Sequence, residues 1–188
     1  MDAKRKTALL GLAFIVFLIL SYIANIIFFG ILVDIFRNQF LGDDLRNQFL
    51  AVVMLFINNV LVISLILLGM TFYVNLVVLN FFKREKYGNI VLEHPRTFAI
   101  VFTFMIVFLS ILRGSTILYG GISVEALPLI LLVSTPIGIV EGYGIYLTIK
   151  KTLSRTMSMK DLAYIYGVFL IAAIIEVGFI NLLILVST

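Results

Sequence analysis

Long apolar stretches dominate the chain, and short polar or charged segments separate them. Five of these stretches are long enough to cross a bilayer, which takes about 20 consecutive apolar residues in a helix. The pattern therefore predicts an all-α fold, a polytopic bundle in which five membrane-spanning helices form a single domain over residues 1–188. The predicted spans cover approximately residues 8–33, 58–82, 96–118, 126–149 and 162–186, and Pro95 suits the first turn of the third span.

The second apolar stretch is longer than one crossing requires. From Phe49 to Phe82 there are 34 residues without a charge. As a single helix they would extend about 51 Å at 1.5 Å per residue, whereas the hydrocarbon core is about 30 Å thick. Asn58 and Asn59 are the favoured position for a break, because an asparagine side chain can cap the start of a helix. We therefore predict an interfacial or re-entrant helix over 45–57, before the second span.

Lysine and arginine are distributed unevenly between the two ends of the predicted helices. Eleven of the 14 basic residues lie in the amino-terminal segment or in loops 83–96 and 150–160, whereas Arg37, Arg46 and Arg113 lie at the opposite ends. Loops rich in lysine and arginine remain in the cytoplasm. We therefore expect a multi-pass protein of the cell membrane with a cytoplasmic amino terminus and an external carboxyl terminus.

The composition also indicates a lipid environment. Hydrophobic residues make up 62% of the chain, whereas a soluble domain averages about 45–50%. The net charge of +4 lies beside the apolar stretches, so we expect the lipid bilayer as a partner and no nucleic acid. Cysteine is absent, which excludes disulfides and thiol chemistry. No catalytic or metal-binding motif is present, so we expect neither an enzyme nor a bound cofactor or metal.

Glu141 lies within the fourth apolar stretch, where a carboxylate costs a few kcal/mol. Pro136 removes a backbone donor five residues earlier, so we expect a kink or a break in this helix. Gly138 and Gly142 are four residues apart and allow another helix to approach closely. Two interpretations remain open: a buried hydrogen bond that holds helices together, or a polar lining for transport.

Glu176 is a second carboxylate, near the middle of the fifth stretch. If it faces Glu141, one of the two can hold a proton at neutral pH, because burial and a second negative charge both disfavour the ionised form. The alternative is that Glu176 pairs separately, for example with Arg113 or with Asn59. Asn58 and Asn59 are themselves candidates for a helix cap or a structural contact between helices.

Three short motifs occur in an order that resembles the stage II sporulation protein M family. They are Ile57-Asn58-Asn59 in the second span, Pro136-x-Gly138-x-x-Glu141 in the fourth and Ile175-Glu176 in the last. The resemblance covers roughly residues 10–186. The chain departs from the family at Ile137, where a histidine is common, and at Gly142-Tyr143-Gly144, which replaces a Leu-Pro pair. No role of that histidine carries over to this chain.

The resemblance implies an integral membrane protein that anchors other proteins, since the namesake of the family holds peptidoglycan-degrading partners at the septal membrane. On this basis we expect a scaffold that assembles partner proteins of the membrane or the cell envelope. The alternative is a transporter or channel subunit that uses Glu141 and Glu176. An odd number of helices with small and polar residues on several faces also favours a homo-oligomer, most simply a dimer.

Overall fold

The computed structural model describes residues 3–39, 45–79, 90–119 and 127–187. Within these ranges the chain consists of helices and short connections and contains no strand, which confirms the all-α prediction. A helix satisfies its own backbone N–H and C=O groups, which is why a long apolar segment adopts it in a membrane. The helices are α1 (Ala3–Gln39), α2 (Leu45–Val78), α3 (Ile90–Glu93), α4 (Pro95–Tyr119), α5 (Leu127–Leu153) and α6 (Met159–Ser187).

Three helices in the described part of the chain have the length and apolar composition needed to cross a membrane. The qualifying segments are Thr7–Ala24 in α1, Gln48–Val78 in α2 and Met159–Phe179 in α6. These are the properties of a membrane protein. α4 contains a shorter apolar segment, Pro95–Leu109, and it begins at Pro95 as predicted.

The predicted break at Asn58 and Asn59 is wrong. α2 runs without interruption through Leu45–Val78, so no separate interfacial or re-entrant helix exists over 45–57. The Asn59 side chain bonds sideways to a neighbouring helix instead of capping a helix start. With 34 residues, α2 is about 51 Å long and fits a core of about 30 Å by tilting or by extending beyond it.

α2, α5 and α6 form the centre of the bundle. α2 packs against α5 and α6, and these two helices also pack against each other. α1 lies on the outer side of α2, and α4 packs on α5. The core between the central helices is built from buried aliphatic and aromatic side chains, among them Ile63, Ile145, Ile149, Ile165 and Phe169.

α2 and α5 run in the same direction, and α6 runs in the opposite direction. Val78 at the end of α2, Arg155 just after α5 and Met159 at the start of α6 line one cavity. This arrangement agrees with the relative directions that the charge pattern predicts for the second, fourth and fifth spans. We call this end of the bundle the basic end, because Lys150, Lys151, Arg155 and Lys160 lie there.

Candidate functional site

Asn59 and Glu141 form a hydrogen bond between α2 and α5. The Asn59 side-chain amide donates from Nδ2 to Oε1 of Glu141 over 3.1 Å. Both side chains are partly buried. The bond joins residues 82 positions apart in the sequence, so it depends on the packing of the two helices. Of the two sequence interpretations of Glu141, this contact directly provides the hydrogen bond between helices.

Glu176 adds a second carboxyl group to this contact. It lies on α6, is partly buried and interacts electrostatically with Glu141. The two carboxyl groups therefore lie close enough inside the bundle to interact, as the proton interpretation requires. We call Asn59, Glu141 and Glu176 the acidic centre. The alternative prediction was that Glu176 pairs with Asn59 or with Arg113. The Asn59 amide instead donates to Glu141, and the side chain of Arg113 lies outside the described residues.

Gly138 and Gly142 give α4 close access to α5, which is the role that their spacing predicts. A Cβ atom at Gly138 would lie 3.2 Å from Cγ1 of Val107. At Gly142 it would lie 3.3 Å from Cγ2 of Val107 and 3.5 Å from Cγ2 of Thr103. The pair thus packs a helix of the same chain, and this face of α5 is already occupied within the bundle.

Pro136 does not break α5, which continues through it as one helix. The proline ring is exposed on the outer surface of the bundle, away from the acidic centre, and Leu132 one turn earlier is exposed as well. The hydroxyl of Thr135 donates to the carbonyl of Leu131. This bond engages the carbonyl beside the one that loses its N–H partner to the proline.

Several hydroxyl groups near the acidic centre were not identified from the sequence. Ser64 on α2 and Tyr166 on α6 approach within 3.2 Å between their hydroxyl oxygens. Thr103 Oγ1 is the one buried side-chain oxygen or nitrogen without a hydrogen-bond partner in the described residues, and its residue contacts the helix face beside Glu141. Asn58, which the sequence did indicate as a candidate, is half-buried in α2. Single hydroxyls within apolar stretches carry no spacing signal, so their partners become visible only when the helices are packed.

The basic end is held by two motifs around the α5–α6 connection. Ser158 caps α6: its backbone N and its Oγ both donate to Oδ2 of Asp161, and the Asp161 N–H donates back to Ser158 Oγ. Lys151 forms an ion pair with Asp161 at 2.7 Å. The capping arrangement has a sequence signal, Ser-x-x-Asp before an apolar run, that the sequence reasoning missed.

The end of α5 has the geometry of a Schellman motif. The N–H of Thr156 donates to the carbonyl of Lys151, and the N–H of Arg155 donates to the carbonyl of Thr152. Arg155 accordingly adopts a left-handed conformation with φ 55°. The connection between α5 and α6 is therefore well defined.

No protein-family model matches the chain, and no curated protein or solved structure matches it. In the described part of the chain there is also no group of three or more His, Cys, Asp or Glu side chains with the placement of a metal site. The functional argument therefore proceeds from the acidic centre and from the packing around it.

Proposed function

We propose that the protein is a five-span membrane protein, a transporter or channel subunit, that moves protons or small cations through the acidic centre. The observation that supports this proposal is that Glu141 and Glu176 lie close enough inside the bundle to interact electrostatically. Ionisable side chains within membrane-spanning helices are by default candidates for proton relays and ion paths. The proposed orientation places the amino terminus and the basic end in the cytoplasm.

A purely structural role does not account for the second carboxyl group. One hydrogen bond from Asn59 to Glu141 already connects α2 and α5, and a neutral glutamine would make it as well. Placing Glu176 beside Glu141 adds repulsion whenever both are ionised, and a proton or a cation between them removes it. The pair therefore suits the repeated uptake and release of a positive charge.

The centre also has oxygen atoms free for that role. Asn59 donates to one oxygen of Glu141, so the other oxygen of that carboxylate can take up a proton or contact a cation. The Asn59 carbonyl can accept a hydrogen bond or contact a cation. Ser64 and Tyr166 lie between the centre and the basic end, on α2 and α6. Their hydroxyl groups can both donate and accept hydrogen bonds, as a proton relay requires.

A flux measurement tests this proposal directly. The purified protein is reconstituted in liposomes, and proton movement is followed with an internal pH dye under an imposed potential, with Na⁺ and K⁺ flux measured in parallel. Glu141→Gln retains an oxygen that accepts from Asn59 but cannot ionise. We expect Glu141→Gln and Glu176→Gln to keep the helical content and to reduce flux at least tenfold, whereas Glu93→Gln, on the exposed surface, retains it. Wild-type flux in either variant, or no flux in the wild type, would reject the proposal.

The second candidate is a scaffold that assembles partner proteins, as the resemblance to the stage II sporulation protein M family implies. The observation that favours it is the exposure of α1, which packs mainly on α2. Its remaining surface carries exposed apolar side chains such as Leu12, Ile15 and Ile19. In a membrane this surface contacts either lipid or another protein, including a second copy of the chain.

Purification in a mild detergent distinguishes the scaffold from the transporter. A scaffold retains a stoichiometric membrane or cell-envelope partner, which Ile15→Trp on the exposed face of α1 would displace. Thr7 lies on the buried side of the same helix, so a substitution of Thr7 is the control that leaves the exposed face of α1 unchanged. A particle with the mass of one chain and no retained protein argues against both the scaffold and the homodimer.

A further inference from the structure

A half-open cavity of about 590 Å³ lies at the basic end, between α2 and the α5–α6 connection. Its wall on α2 extends from Leu67 to Val78, about 16 Å along the helix axis. Most of its lining is apolar, and Met157 and Leu162 face α2 from the other side. The cavity is therefore an elongated apolar groove at the level where the helices leave the apolar layer.

Arg155 places a positive charge on the lining of this cavity. Two other cations of the connection have local contacts: Lys151 pairs with Asp161, and Lys150 lies 5.4 Å from the centre of the Tyr146 ring. Lys151–Asp161 is the only ion pair in the described residues, so Arg155 has no carboxylate partner among them. An exposed guanidinium beside an apolar groove is suited to bind a phosphate group.

The backbone conformation of Arg155 is a second and independent observation. Its φ of 55° is the left-handed conformation found just after the end of a helix, where glycine is the usual residue. An arginine is disfavoured there because its Cβ approaches the backbone. The sequence thus retains a strained residue whose side chain lines the cavity, and strained residues concentrate at binding sites.

We propose that the cavity binds an anionic phospholipid, with an acyl chain along α2 and the phosphate group at Arg155. The elongated apolar wall fits a hydrocarbon chain, which a free phosphate ion lacks. The positive charge favours an anionic headgroup over a zwitterionic one. Basic pockets between membrane helices bind anionic headgroups in this way. The proposal is independent of ion movement through the acidic centre.

Native mass spectrometry tests this site on the full chain in mild detergent. The protein is exchanged into mixed micelles with equal amounts of phosphatidylglycerol and phosphatidylcholine, and the retained lipids are counted. We expect the wild type to retain phosphatidylglycerol about fivefold over phosphatidylcholine, the effect of one basic residue near a membrane surface. Arg155→Gln removes this preference, and Arg155→Lys restores part of it. Lys160→Gln is the matched control, since Lys160 lies in the same basic region but does not line the cavity.

Variants that fill the groove test the position of the acyl chain. Met159 lines the cavity and is 82% exposed, so Met159→Trp can occupy the groove without disturbing the core. We expect it to reduce retention of both lipids, whereas Ile100→Trp, on an exposed surface elsewhere, leaves retention unchanged. Circular dichroism confirms that each variant is folded, and Val78→Trp replaces Met159→Trp if that variant loses helical content.

Arg155→Gly separates binding from stability. It relieves the left-handed conformation, so it raises the unfolding temperature in lipid-free detergent while abolishing the preference for phosphatidylglycerol. Equal retention of the two lipids by the wild type would overturn the proposal. Unchanged preference in Arg155→Gln would do the same. So would equal stabilisation by inorganic phosphate, because a free anion would then be the ligand.

Discussion

Asn59 provides a side-chain hydrogen bond between α2 and α5. Its amide is the hydrogen-bond donor that the structure provides to Glu141. Asn59→Leu would leave the Glu141 carboxyl oxygen buried without that donor. We therefore expect it to lower the free energy of unfolding by about 1–2 kcal/mol. Reversible unfolding in detergent measures the change. Asn75→Leu is the matched control, because the Asn75 amide donates to the backbone carbonyl of Thr71 in its own helix and, in the described residues, to no other helix.

A double-mutant cycle assigns the effect to the pair. Glu141→Gln preserves the acceptor, so Asn59→Leu should have a similar cost in that background, whereas Glu141→Leu should remove most of the cost of Asn59→Leu. Equal unfolding energies for Asn59→Leu and Asn75→Leu would show that the contact between helices contributes little.

Among the glycines that the structure describes, Gly144 has the least room for a side chain. A Cβ atom there would overlap the ring of Phe169 on α6. Gly144→Ala is therefore expected to destabilise the protein by about 1–3 kcal/mol, since overpacking moves side chains and backbone. Gly167 and Gly178 on α6 have no atom within 4 Å of the position of a Cβ, so alanine there should stabilise the helix by up to about 1 kcal/mol.

Phe169→Leu provides the rescue for Gly144→Ala. It removes the ring that the new methyl group meets, so the double variant should be more stable than the sum of the single changes predicts. If Gly144→Ala were as harmless as Gly167→Ala, α5 and α6 would have to be further apart than the structure places them.

At this scale, the sequence predicted which residues are unusual and not which of them meet. Glu141 and Glu176 are visible because a carboxylate in an apolar stretch is costly. The partner of Asn59 is not visible, since one residue along a helix rotates the side chain by about 100° and shifts it by 1.5 Å. The sequence offered Asn59 as a possible partner of Glu176, whereas the packing of α2 on α5 brings Asn59 to Glu141.

At the scale of helices, the length of each apolar stretch correctly predicted that a helix forms there, but it wrongly predicted a break within α2. The helices α1, α4, α5 and α6 coincide with predicted spans. The break in α2 was predicted from the length of the apolar stretch and from the ability of asparagine to cap a helix. In the structure the Asn59 side chain instead donates a hydrogen bond to Glu141. Pro136 likewise leaves α5 continuous.

Ser158 determines where α6 begins, and its contribution is measurable. Its hydroxyl accepts from the Asp161 N–H, a bond that alanine cannot make. Ser158→Ala should therefore cost about 1 kcal/mol of unfolding free energy. Ser158→Thr retains the oxygen and should cost less, and Ser158→Gly should cost only a few tenths of a kcal/mol. Thermal unfolding in detergent compares the three. Equal stability of the alanine variant and the wild type would mean that Lys151 and Asp161 hold the connection without the cap.

At the scale of the whole molecule, the charge pattern and the packing give consistent relative directions. The ends of α2 and α5 and the start of α6 share one cavity, and the basic residues of the α5–α6 connection lie there. Positively charged connections remain in the cytoplasm. Five crossings from a cytoplasmic amino terminus would place the end of α6 outside the cell, although α2 must tilt or extend because its apolar segment is about 46 Å long.

The absence of cysteine from the chain makes this topology straightforward to test. Single cysteines are introduced at Lys6, Lys160 and Thr188 and labelled in intact cells with a membrane-impermeant maleimide. We expect Thr188→Cys to react from outside, and Lys6→Cys and Lys160→Cys to react only after the membrane is opened. Labelling of Lys6→Cys and Thr188→Cys from the same side would require an even number of crossings. The acidic centre would then lie in a bundle with one span fewer or one span more than the charge pattern predicts.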